Sequence, residues 1–186
     1  MSRPTGIEVL SAYYKAGIGV AAATIGVRIR TLGLEYDSGA KFGFSIEPLS
    51  NLIGQATQSM PQQIGLIEDY ITVCLAGAAG RFAYSDARRG QVQRSMQGAA
   101  HELRQLRLLW ECLEPESERA FIIALGTLPK LDEGDPEATM YRLWQRAHRL
   151  LSNNPQRTNL NRLARKLLEA RQMTGFEVEA FLKRTN

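Results

Sequence analysis

The chain has 186 residues, 44% of them hydrophobic and 23% charged, with a net charge of +4 and an isoelectric point near 9.3. That length suits one domain with a proper core rather than two very small ones, and the composition is ordinary for a soluble globular protein. A charge this small permits an acidic partner but does not demand nucleic acid. Two cysteines, Cys74 and Cys112, fall in apolar helical patterns and read as buried free thiols; a disulfide framework or a cysteine zinc site would need more of them. The longest nearly uninterrupted apolar run, 16–27, is about a dozen residues, short of the roughly 20 that cross a bilayer. With no signal-peptide pattern at Met-Ser-Arg-Pro, the expectation is a cytoplasmic domain without a membrane span.

Thr5-x-x-Glu8, just after Pro4, forms a capping box, and Ile7, Leu10, Tyr14, Gly17, Ile18 and Ala21 recur at helical spacing. A helix from Thr5 to near Gly26 follows. Val27 to Leu32 alternates apolar and polar, as does Phe42 to Ile46, with Asp37-Ser38-Gly39 as turn material between them; a small antiparallel sheet is expected. Leu49 to Gln63 is polar and aperiodic and reads as a loop with a short helical piece. Everything afterwards reads as helix. Ile64 to Tyr84 contains Ala76-Gly77-Ala78-Ala79-Gly80, small residues suited to close helix packing, and Gln91 to Leu113 carries Leu103, Leu106, Leu109, Trp110 and Leu113 on one stripe. Pro115 opens Glu116 to Leu128, and Asp135-Pro136 opens a helix through Leu151. Another helix is expected from about Asn159 to Arg171, after Asn153-Asn154-Pro155, and a second capping box, Thr174-x-x-Glu177, starts a last one to Lys183. The fold class is α+β, mainly α-helical, with a small antiparallel sheet near the start, in a single domain over 1–186.

The segment Ala12-Tyr13-Tyr14-Lys15-Ala16-Gly17-Ile18-Gly19-Val20 reads like a metallopeptidase zinc helix, A-Y-H-E-A-G-H-A-V, with its chemistry removed. In that motif two histidines at i and i+4 bind zinc, and the glutamate beside the first is general base on the metal-bound water. Tyr14, Lys15 and Ile18 stand in those three positions. Three further stretches follow in order. Glu68 to Ala79 is similar to a helix with an L-A-G-x-x-A-E signature, departing at Gly80-Arg81 where an acid is expected. Gly98-Ala99-Ala100-His101-Glu102-Leu103 looks like G-A-x-N-D-L, with Glu102 at the third zinc ligand's place, or His101 if the alignment slips by one. The tail, from Ala147-His148 through Leu163-Ala164 to Met173-Thr174-Gly175, reproduces the closing helices. Together these segments resemble the peptidase domain of the FtsH-type AAA zinc metalloproteases, over nearly the whole chain. The resemblance implies a zincin-like part over 1–113 and a helical bundle over 114–186. No G-x-x-x-x-G-K-[ST] phosphate loop occurs, so the ATPase module of those proteases is not within this sequence.

What the resemblance implies is a catalytically inactive, stand-alone peptidase-like domain that works by binding protein or peptide, as a homo-oligomer or beside a related protease, with no metal or cofactor expected. The vacated site has two readings. In one, the Lys15 ammonium faces Glu102 where a cation once sat, while Tyr14 and Ile18 fill the space of the imidazoles. In the plainer one, Lys15 points to solvent and Glu102 is an ordinary helix-surface residue. Two rival functions remain: an active ATP-independent metallopeptidase with a rebuilt metal site, and a nucleic-acid-binding module. The second would use Arg142, Arg146, Arg149, Arg162 and Arg165, a docking surface for an acidic partner. Such runs are usually solvated faces paired with nearby acids, and aromatics interleaved for base stacking are lacking, so nucleic acid is the less expected partner.

Overall fold

A computed structural model of the chain describes residues 4–34, 44–46, 60–89 and 136–184. Helix α1 (Gly6–Ile25) begins as its capping box dictates: the Glu8 N–H donates to Thr5 Oγ1 at 3.3 Å, and the Thr5 N–H donates to the Glu8 carboxylate at 2.7 Å. It ends at Gly26, whose φ of 96° lets its N–H turn back to the Ala22 carbonyl. From Tyr14 to Ala22 every residue is buried. A helix buried on all sides must run through the middle of its fold.

Strand β1 (Ile29–Gly33) follows, and β2 (Phe44–Ile46) pairs with it antiparallel, Ile29 opposite Ile46 and Leu32 opposite Phe44. Strand β3 (Gln172–Thr174) lies on the other side of β1, also antiparallel, with Leu32 opposite Met173, giving the order β2-β1-β3. The sequence shows the first two strands but not the third. Three residues carry no alternation to read, and β3 exists only because the tail returns beside β1.

Four more helices complete the described fold: α2 (Met60–Arg89), α3 (Pro136–Ser152), α4 (Asn154–Ala170) and α5 (Gly175–Lys183). Helix α2 starts four residues before the expected Ile64, inside the stretch read as loop. Helix α4 starts five residues before the expected Asn159. Extended Asn153 is its N-cap and Pro155 sits in its first turn, where the missing N–H removes no helical bond, so Asn-Asn-Pro begins a helix rather than separating two. The expected helices over 91–113 and 116–128 lie outside the described residues.

Helix α2 lies against one side of α1 and α4 against another, where Leu163 of α4 and Leu32 of β1 close over Gly19. The α1–α2 crossing is made by glycines. A methyl on Gly17 would stand 2.2 Å from the Ala76 carbonyl oxygen, and one on Gly80 would stand 2.4 Å from the Tyr13 carbonyl oxygen. The two backbones therefore touch, which no pair of larger residues allows. Residues from both sides of position 113, among them Ile18, Ile71, Leu143 and Leu163, share one core.

Candidate functional site

Of the three positions that the resemblance singles out, Tyr14 packs at this crossing, with Lys15 and Ile18 beside it on α1. Tyr14 and Ile18 are fully buried, and Lys15 is 1% exposed. The Tyr14 ring occupies the space left by Gly77, where a methyl would come within 2.7 Å of its Cε1 and Cζ atoms. Two cations flank that ring: Lys15 Nζ at 5.6 Å and Arg81 Cζ at 6.0 Å from its centroid. Two stretches that carried the resemblance, 12–20 and 68–79, thus meet face to face.

The reading in which Lys15 points to solvent is overturned. Its place on α1 is enclosed on every side, so the ammonium is inside, where a charge is held only by polar partners. Glu102, and His101 of the shifted alignment, lie outside the described residues.

Zinc does not fit the groups present at these positions. Its ordinary ligands are imidazole, thiolate and carboxylate, whereas Ile18 has no donor atom and Lys15 brings a positive charge of its own. A second cation, Arg81, stands near the same ring and would repel a divalent ion further. Among the described residues no three His, Cys, Asp or Glu side chains lie together. Cys74 is fully buried, and burial pushes its thiol up to about 12, so it offers no thiolate near neutral pH.

The arginines of the expected docking surface divide between two helices and several tasks. On α3, Arg142 donates to the two Glu68 carboxylate oxygens from its two terminal nitrogens, Nη1 at 3.1 Å, and Arg146 reaches Asp69 at 2.6 Å. Both acids belong to α2, so these two arginines sew α3 to α2. Arg149 donates to Gln145 at 2.7 Å on its own helix. On α4, Arg162 lies over the Phe181 ring at 5.1 Å, with its Nη1 buried and without a hydrogen-bond partner among the described residues. Arg165 is exposed. It stands near Tyr13, whose phenol is raised above its ordinary value by burial, with the Arg165 charge opposing.

One feature escaped the sequence reading. An open cleft of about 300 Å³ lies where α1 ends, α4 begins and α5 passes, lined by Val20, Ala22, Val27, Asn159, Glu179 and Leu182 among others. The signals available were Gly26 and Asn153-Asn154-Pro155, the stop of one helix and the start of another. Nothing in the sequence brings two such ends together before the tail is known to pack antiparallel on α1.

Among the described residues no helix is long and apolar enough to cross a membrane. No protein-family model matches the chain, and no curated protein matches it.

Proposed function

We propose that this chain is a catalytically inactive relative of the zinc-metallopeptidase domain, zincin-like in its N-terminal part, which acts in the cytoplasm by binding or assembling with protein. The observation that carries the reading is the burial of Lys15 together with Tyr14 and Ile18; the resemblance gives Lys15 the position of a peptidase's general base and the other two the positions of its histidines. A second observation supports it. The two resembling stretches pack against each other through Gly17, Gly77 and Gly80, as parts of one ancestral site would.

In this reading the cation stays and only its identity changes. The pairing to be tested is that of the Lys15 ammonium with Glu102, to which the resemblance gives the third ligand's place. Reversing one partner, as in Lys15→Glu, leaves like charges inside and costs about 3–5 kcal/mol. The double reversal Lys15→Glu with Glu102→Lys recovers a large share of that loss if the two residues meet. If the two losses simply add, they do not meet.

The inactive reading is tested by metal analysis of the purified protein and by cleavage of an unfolded protein with and without chelator. Metal-free protein with no chelator-sensitive cleavage is expected. Stoichiometric zinc with chelator-sensitive cleavage would establish the rival, a working metallopeptidase with a rebuilt site.

A further inference from the structure

Arg142 and Arg146 of α3 are held by acids of α2, but the cations of α4 have no such use. Arg157, Arg162, Arg165 and Lys166 share this helix of 17 residues with a single acid, Glu169. Lys166 takes that acid at 3.4 Å. Among the described residues the three arginines meet no carboxylate. Arg157 and Arg165 are exposed, and Arg162 lies over Phe181 with its Nη1 unpartnered. The chain as a whole carries only +4, so most of its excess charge stands on α4. Leu160, Leu163, Ala164 and Leu167 turn one side of the helix to the core, which leaves these cations on the other. Arg157 and Arg165, eight residues apart, stand about 12 Å apart along it. Guanidinium groups left without acids of their own are suited to phosphates or carboxylates from outside.

A second observation says which anion. No aromatic residue occurs within α4, yet the fold brings two to its flank. Tyr13 of α1 donates from its hydroxyl to Asn161 Oδ1 at 3.0 Å, and Asn161 lies on one stripe with Arg157 and Arg165. Arg165 is close enough for its charge to act on the Tyr13 phenol. Tyr84 of α2 stacks on Tyr13, with ring centroids 4.4 Å apart and planes 30° from parallel. Both rings are partly exposed. A short aromatic stack therefore stands beside the unmatched arginines, joined to them only by tertiary packing. The carboxylates of an acidic peptide would satisfy the arginines and leave the stack unused. Single-stranded nucleic acid uses both, with phosphates along its backbone and bases free to stack.

We propose that the outer face of α4, with the Tyr13–Tyr84 stack at its flank, is a docking surface for single-stranded nucleic acid. Arg157 and Arg165 take phosphates, and a base extends the aromatic stack. The surface uses neither Lys15 nor Glu102 and does not depend on the pseudopeptidase reading.

Fluorescence anisotropy of the whole chain with labelled oligothymidine and oligouridine of about 15 nucleotides tests it, and the two strands tell DNA from RNA. Saturable binding of at least one is expected at low salt. Each phosphate neutralised adds about −0.7 to the slope of log affinity against log salt, so Arg157→Ala should make that slope shallower by about this amount. An abasic strand of equal length should bind about tenfold more weakly, as should Tyr84→Ala with the normal strand, while Tyr84→Phe keeps the affinity. Should Tyr84→Ala fail to fold, the abasic strand still carries the stacking test. Arg157→Glu with Arg165→Glu, at two exposed positions, should abolish binding and leave the circular dichroism unchanged. Absence of saturable binding to either strand overturns the assignment. So does equal binding of the abasic strand, of a duplex or of poly-glutamate, or binding that survives the double charge reversal.

Discussion

Replacing Gly17 by alanine puts a methyl group 2.2 Å from the Ala76 carbonyl oxygen, 3.0 Å from its carbon and 3.3 Å from Gly80 Cα. Ordinary contact would need the first of these to open by about 1 Å or more. Every obstructing atom is helical backbone, so no side chain can swing aside and α2 as a whole must move away from α1. Overpacking of this kind costs about 1–3 kcal/mol, and here the rigid obstacle places it at the upper end. Against that stands the gain of about 1 kcal/mol from removing a glycine within a helix. The steric effect wins, with a net loss of about 2 kcal/mol. Gly65 supplies the control, because it too lies within a long helix but a methyl there meets nothing within 4 Å. Gly65→Ala should therefore stabilise by about 0.5–1 kcal/mol. Urea unfolding at constant m-value measures both, and at this chain length 1 kcal/mol moves the thermal midpoint by about 2–4 °C. If Gly17→Ala is as stable as the parent, the backbone contact at the α1–α2 crossing is not what the geometry says.

Acid pH offers a second test. Glu8 lies below its ordinary 4.5, held there by the Thr5 backbone N–H and then by Arg171, and Glu177 lies below it through the Thr174 backbone N–H. A carboxyl depressed in the folded state stabilises fully above 4.5 and loses that contribution as pH falls through the lower, folded value. Stability should thus decline below pH 4.5, and Glu8→Gln with Glu177→Gln should flatten the decline; an unchanged pH profile in the double variant would refute the assignment. A third test concerns Cys74, in a Cys112→Ser background. Buried, with its thiol raised to about 12, it should resist thiol reagents at pH 8 and react only as fast as the chain unfolds. Rapid labelling of the native protein would show that the α2 core opens locally.

The parts of the fold that sequence discloses are those decided within a few residues. Thr5 with Glu8, Thr174 with Glu177 and the stop at Gly26 are local hydrogen-bond devices, and each stands where its residues put it. Strand β1 came out within two residues because alternation is also local. The rest depends on what the tail packs against. Strand β3 is invisible until β1 lies beside it, and the burial of Lys15 is invisible because a lysine on an apolar helix reads the same whether its fourth side is water or protein. Pro155 shows a different limit. Proline both ends helices and begins them, and only the extended Asn153 before it tells which.

The position of β3 also bears on how the protein is made. Some 140 residues separate Leu32 from its partner Met173, so at about 5–20 residues per second the nascent strand β1 waits on the order of ten seconds for its neighbour. Through that interval the middle of α1, buried on all sides in the finished fold, lacks the α4 that will cover it. A ribosome carrying this chain presents a greasy helix and a lone strand edge for many times longer than either takes to form. That interval is when a holding chaperone has most to grasp, and a stall before residue 172 would leave the sheet without its third strand.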